Sequence, residues 1–278
     1  MLRRCLLLAA ILAAPWYGTV AEALELQGDV VEGGLVFGKA PPGSAVQFDG
    51  ERIRVSPRGD FLLGFSRDAD RESVLEIRYP DGTRERKVLG VAQRDYEVQK
   101  IDGLPPSKVT PDARNMKRIR REQALINEAR KRDDARTDYL AGFVWPTSGR
   151  ISGVYGSQRI LNGKPKRPHF GVDIAAPTGT PVRAPAPGIV SLTAHDMYFT
   201  GGTVMVDHGH GLSSVFIHMS KVLVKQGEAV RQGDLLGEVG ATGRATGPHL
   251  HWGMNLFNRR IDPQRLVGPM PAASTSPR

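Results

Sequence analysis

The stretch ATGRATGPHLHWGM, Ala241 to Met254, sets three glycines and a proline around two histidines, His249 and His251, with one leucine between them. In an extended strand, residues two apart share a face, so both imidazoles point to one side and Leu250 points to the other, toward a core. A core does not take two imidazoles cheaply, because each ring nitrogen needs a partner. Two histidines on one strand face suit a pair of metal ligands, or one ligand beside an acid–base residue. The texture around them is uniform from Gly142 to about Leu266. GIVSLTA, GTVMVDH, SSVFIHM and LLGEV are short apolar or β-branched runs separated by glycine turns. Long helical periodicity is absent, so the region reads as an all-β domain.

Working outward, RPHFGVD (Arg167 to Asp173) places His169 and Asp173 four residues apart. Pro168, Gly171 and Pro177 argue against a helix there. In a flat strand the two side chains would lie about 13 Å apart, too far to share an ion. A bend at Gly171 is therefore required for a joint site, and glycine permits one. SSVFIHMS (Ser213 to Ser220) is a strand ending in the lone His218. Asp207-His-Gly-His-Gly211 offers a second H-x-H, but a glycine after each histidine predicts a turn in which the rings diverge. His208, His210 and His195 are therefore expected outside any metal shell.

The first half of the chain differs. Residues 24–103 alternate short apolar runs with turn signals, among them Pro41-Pro42-Gly43, Asp49-Gly50, Pro57-Arg58-Gly59 and Pro80-Asp81-Gly82. That spacing predicts a small β-sandwich-like module with one wet face per strand. It contains no histidine, and we read it as a binding or spacer module. Leu104-Pro105-Pro106 opens a linker, 104–141, in which Asp112 to about Leu140 reads as a charged helix with a narrow apolar stripe through Met116, Ile119, Ile126 and Ala129. The tail, residues 267–278, is small, polar and proline-bearing, and reads as disordered.

The 278 residues carry a formal net charge of +9 and a pI near 9.9. Much of the charge falls between Lys108 and Arg136, a stretch without aromatic residues, which argues against nucleic-acid binding. At the N-terminus, Arg3 and Arg4 precede a short apolar run, Cys5 to Ala14, and Ala21-Glu22-Ala23 follows. This is the pattern of a cleaved signal peptide, residues 1–23, with Leu24 as the mature start and no membrane span afterwards. Cys5 is the single cysteine, so metal chemistry in the mature chain rests on His, Asp and Glu.

Taken together, RPHFGVDIAAPTGTPVRAPAPGIV, VMVDHGHGLSSVFIHMS and VKQGEAVRQGDLLGEVGATGRATGPHLHWGM resemble the lysostaphin-like, LytM-type zinc endopeptidases that cut peptidoglycan. The resemblance covers Val144 to Met254 and implies an all-β peptidase domain over residues 142–266. It implies one Zn2+ held by His169, Asp173 and His251, with His218 and His249 as unligated catalytic histidines. Three ligands leave a fourth position open for water, the mark of a catalytic site. The implied reaction is hydrolysis of stem or cross-link peptides, with the D-alanyl–diaminopimelyl cross-link of a periplasmic wall as the expected bond. Trp252-Gly253 stands where an aromatic and a glutamate commonly follow H-x-H, and Phe216 where a tyrosine is common. A ligand-depleted relative acting as an activator of another hydrolase is the alternative, but all five positions are kept here. APAPGIV and VRQGDLLGEVG also resemble biotinyl or lipoyl carrier domains, yet no Met-Lys-Met hairpin is present. A cell-envelope protein partner is expected at the N-terminal module or the helix. Because these elements are tethered directly before Phe143-Val144-Trp145, they are also expected to restrict access to the metal cleft.

Overall fold

The computed structural model describes residues 23–271. The expected signal peptide, apart from Ala23, and the end of the tail lie outside the described residues. The chain is mainly β, and its sheets are antiparallel except for one parallel strand pair.

Two sheets form from the first strands. β1 (Glu25–Gly28), β2 (Leu35–Lys39) and β5 (Asp60–Gly64) make one; β3 (Ala45–Phe48), β4 (Glu51–Ile53), β6 (Glu72–Arg78) and β7 (Arg84–Gly90) make the other. The alternation in ESVLEIR explains the second: Leu75 and Ile77 are buried while Glu72, Glu76 and Arg78 face water. Val36, Val46, Phe48, Phe61, Leu63, Leu75 and Ile77 fill the space between the sheets. The run DFLLG in β5 is apolar on both faces because both are covered. Phe61 and Leu63 enter this first core, whereas Leu62 and Leu35 join the core of the C-terminal sheet.

β8 (Val98–Ile101) falls inside the segment that the sequence assigns to the N-terminal module. It instead runs parallel to β10 (Gln158–Leu161). The linker follows with a single turn, α1 (Pro106–Val109), and the helix α2 (Ala113–Ala129), whose N-terminus Asp112 caps by accepting from Asn115 N at 2.8 Å. The helix stops well short of Leu140. Beyond Ala129 the arginines and aspartates pair in an irregular segment, Arg132 with Asp134 and Arg136 with Asp138 and the buried Asp207.

The C-terminal region adds β9 (Arg150–Gly153), β11 (Lys164–Pro165), β12 (Val172–Ala175), β13 (Pro181–Arg183), β14 (Gly188–Met197), β15 (Gly201–Asp207), β16 (Leu212–Met219), β17 (Lys221–Val222), β18 (Ala229–Val230), β19 (Leu235–Glu238), β20 (His249–Leu256) and β21 (Arg259–Ile261). One sheet runs in the order β18-β14-β15-β16-β20-β12-β9, with β21 beside β20. Period-two alternation divides its faces. Val172, Ile174, Phe216, Leu250, Trp252 and Met254 point into the larger core, and all are fully buried. Residues 267–271 are placed rather than free: Val267 and Met270 pack on that core, and Trp145 Nε1 donates to Gly268 O at 2.8 Å. The first part of the tail thus supplies the acceptor for this partly buried indole.

Candidate active site

The opposite face of the large sheet carries the chemistry. Asp173 pairs in register with His251, and His251 pairs with Ile217, so all three project from one face of β12, β20 and β16. His249, two residues before His251, shares that face, while Leu250 is fully buried on the other. His169 arrives from the extended segment before β12, and the chain bends at Gly171. The bend needs glycine for space: a Cβ there would lie 2.5 Å from Trp252 O and 2.7 Å from two atoms of the His251 ring.

The bend brings three donor atoms together. His169 Nε2 lies 2.7 Å from His251 Nδ1 and 2.9 Å from Asp173 Oδ1, and His251 Nδ1 lies 2.8 Å from the same oxygen. His169 Nδ1 donates to Val154 O at 3.0 Å, which leaves Nε2 as a lone pair facing the group. Three converging acceptor atoms repel one another unless a cation or a proton sits between them. A tetrahedral ion bound at about 2.0–2.1 Å would need ligand atoms roughly 3.3 Å apart, so a slight spreading of this triangle admits one. The donor set therefore fits a metal ion. Among the described residues, His169, Asp173 and His251 are the group able to hold a metal.

His218 and His249 stand beside this group. Their ring centroids are 4.7 Å apart, and the His218 ring is 6.4 Å from that of His251. His218 Nδ1 donates to Thr242 O at 2.8 Å and His249 Nδ1 to Gly247 O at 2.9 Å, so each leaves Nε2 as its free acceptor. His249 Nε2 lies 3.9 Å from Asp173 Oδ1. His218 adopts a φ of 67°, a costly conformation for a residue with a Cβ and one concentrated at functional sites. Its backbone is held there by N–H donation to Thr200 O at 2.8 Å.

Burial keeps the His218 and His251 imidazoles neutral. Burial, reinforced by His249 and His251, pushes His218 down to about 3. Burial likewise pushes His251 down to about 4, against the opposing effect of a hydrogen bond to Asp173. Burial would raise Asp173, but His169 and His251 outweigh it and hold the carboxyl well below its usual range. One further residue, invisible as a site residue in the sequence, belongs here. Arg159 on β10 pairs with Asp173 Oδ2 at 2.6 Å, leaving Oδ1 to the histidines. Gly153 makes room for this carboxylate, since a Cβ there would stand 2.5 Å from Oδ2.

The remaining histidines are elsewhere. His208 Nδ1 donates to Pro187 O at 2.6 Å with its Nε2 2.9 Å from Ser214 Oγ, and His210 Nδ1 lies 3.2 Å from Tyr139 Oη. Their rings diverge across the turn as its glycines predict. His195 lies at an exposed position near the end of β14.

Comparison with known proteins places this arrangement. The model of peptidase family M23 matches residues 167–263, which contain all five residues. A solved Pseudomonas aeruginosa structure assigned to peptidase M23 superposes with a TM-score of 0.68 at 32% identity, covering 86% of this chain and 96% of that one. The chain belongs to peptidase family M23. Among curated relatives, the peptidoglycan DD-endopeptidase ShyA of Vibrio cholerae is 39% identical over 131 residues, 46% of this chain and 30% of that protein. The DD-carboxypeptidase/endopeptidase Mpg of Neisseria meningitidis is 40% identical over 122 residues, 44% of this chain and 28% of its own length. The chain thus spans under a third of the length of either relative.

Proposed function

We propose that this chain is a zinc-dependent peptidoglycan endopeptidase acting on stem or cross-link peptides, and that the D-alanyl–diaminopimelyl cross-link is the bond it cuts. The observation that carries the reading is the convergence of His169 Nε2, Asp173 Oδ1 and His251 Nδ1 beside two imidazoles, His218 and His249, whose Nδ1 atoms are engaged and whose Nε2 atoms are free. The names of the M23 relatives supply the substrate class. The pattern of the first 23 residues supports export to the periplasm, and among the described residues no helix is long and apolar enough to cross a membrane.

In this reading His169, Asp173 and His251 hold the ion. When bound, zinc supplies Lewis-acid polarisation of a carbonyl and acidification of a water. His249 Nε2 and His218 Nε2 are the free ring nitrogens next to the ligand group, placed to take a proton from the attacking water. The protonated ring then stabilises developing negative charge and returns the proton to the leaving amine. Asp173, neutralised through Oδ2 by Arg159, stays ionised and keeps Oδ1 in place.

Purified sacculi digested with the chain and analysed by mass spectrometry test the proposal. Cross-linked muropeptides should fall and uncross-linked ones rise. His169→Ala, Asp173→Ala and His251→Ala should abolish both zinc binding and hydrolysis. His218→Ala and His249→Ala should keep most of the zinc and lose turnover by a factor of roughly 10²–10⁴. Wild-type hydrolysis by His251→Ala would overturn the metal assignment.

A further inference from the structure

A second polar cluster lies on the same face of the large sheet. Asn255 is four residues along β20 from His251, about 13 Å at the rise of a strand. It sits in an in-register row that crosses four strands: Asp207, Ser213, Asn255 and Arg260. At one end of the row Asp207 is neutralised by Arg136. At the other end, positive charge accumulates without a counter-charge. Arg260 donates to Asn255 Oδ1 at 2.6 Å, and among the described residues no carboxylate lies within ion-pairing distance of it.

Arg130 joins this end. It follows Ala129, which shares an apolar cluster with Val215, two residues from Ser213 on the same face. Arg130 is only 8% exposed and likewise has no ion-pair partner among the described residues. Burial, with the nearby charge of Arg260 adding to it, lowers its pKa to about 9. One buried polar atom in each of Arg130, Asn255 and Ser213 is unsatisfied: Nε, Nδ2 and Oγ respectively. The Asn255 amide is oriented by Arg260, which requires the oxygen on its own side and leaves the N–H2 as the orphan. Two of the three orphans are pure donors and the third is a hydroxyl able to donate.

Buried polar groups in native proteins are satisfied, and a buried cation without a partner is more costly than an orphan amide. What the cluster lacks is an acceptor with negative charge. A neutral water satisfies an N–H but does not offset two guanidinium charges. We propose that Arg130, Arg260, Asn255 and Ser213 form a binding site for an oxyanion, a carboxylate or a phosphate-type group. Arginine and carboxamide donors in one place match the paired oxygens of such a group. If its source is the substrate, it is a free carboxylate of a stem peptide lying along the sheet from the metal centre. That source rests on the peptidase reading, whereas the site itself does not.

The test uses the full chain and two probes, inorganic phosphate and an alanyl-alanine dipeptide with a free C-terminal carboxylate, with the dipeptide amide as control. Calorimetric titration should show saturable phosphate binding that Arg130→Gln or Arg260→Gln weakens at least tenfold. Ser213→Ala, which removes one donor and disturbs the fold least, should weaken it several-fold. A metal centre also attracts oxyanions, so the titration is repeated on His251→Ala, where binding should persist. Binding of the dipeptide but not its amide assigns the source to the substrate, and binding of phosphate alone assigns it to an inorganic anion. Absence of oxyanion binding, or phosphate affinity unchanged in Arg130→Met and Ser213→Ala, overturns the site. Cleavage of soluble cross-linked fragments by the wild type is scored separately. A chain that binds phosphate yet cleaves nothing overturns the peptidase reading and leaves this one standing.

Discussion

At the scale of single residues, the site depends on what is missing as much as on what is present. Gly171 and Gly153 are positions where a methyl group would enter the space of His251 and Asp173. Gly171→Ala is therefore expected to displace the His251 ring and weaken metal affinity at least tenfold. Its stability cost is about 1–3 kcal/mol, the usual penalty of forced overpacking. Metal titration and denaturant unfolding read the two effects, and unchanged metal affinity would show that His251 is not a ligand. Arg159→Gln removes the charge holding Asp173 Oδ2. Partners one step behind a ligand commonly contribute ~10–100-fold in metal affinity, and Arg159→Lys should recover part of it. The H-x-H pair and the need for a bend at Gly171 were legible because both follow from local strand geometry. Arg159 was not. It sits on a short strand whose place is set by pairing with residues 98–101, and no local pattern announces that contact.

Among the elements, the turn from Asp207 to Gly211 shows how a false H-x-H is put to structural use. His208 is fully buried between Pro187 O and Ser214 Oγ, and its ring meets Phe143 edge-on. Burial lowers its pKa from 6.5 to about 4. The folded value lies below the unfolded one, so the stability tied to the neutral ring is complete above about pH 6.5. It is lost as the pH falls toward 4. A shift of this size corresponds to about 3 kcal/mol, of which most is gone by about pH 4.5. Asp207, raised by burial to about 6, acts in the opposite sense, so the comparison must cancel it. Urea unfolding of wild type and His208→Gln at pH 7 and pH 4.5 does so. The wild type should lose about 2–3 kcal/mol more than the variant across that interval. An equal loss would mean that the buried ring is not what acid attacks. The glycines made this turn readable in the sequence, but not the burial of His208, which comes from Pro187 and Phe143 on other segments.

For the whole molecule, the long-range question is whether the linker and helix restrict the cleft. Residues 104–110 touch both of its flanks. On one, Asn162 exchanges hydrogen bonds with the Leu104 backbone and Lys166 Nζ donates to Val109 O at 2.7 Å. On the other, Lys108 Nζ donates to Tyr198 O at 2.6 Å, next to the turn whose Thr200 O holds the His218 backbone. Ile126 and Ala129 of α2 then cover Leu192, Met205 and Val215, the apolar middle of the face that ends in His251. The helix therefore stands over the middle of this face and narrows the path open to a substrate peptide. Testing this by starting the chain at Gly142 would remove too much, since Leu35, Leu62 and Tyr139 are part of the larger core and β8 is the partner of β10. Ile126→Ala is the cleaner change. It should cost the helix about 2–4 kcal/mol of packing while leaving every group at the metal site intact. Limited proteolysis between residues 104 and 135 should accelerate, and kcat/KM on a soluble cross-linked fragment should rise several-fold. Faster proteolysis with unchanged kcat/KM would show that α2 rests on the face without obstructing substrate.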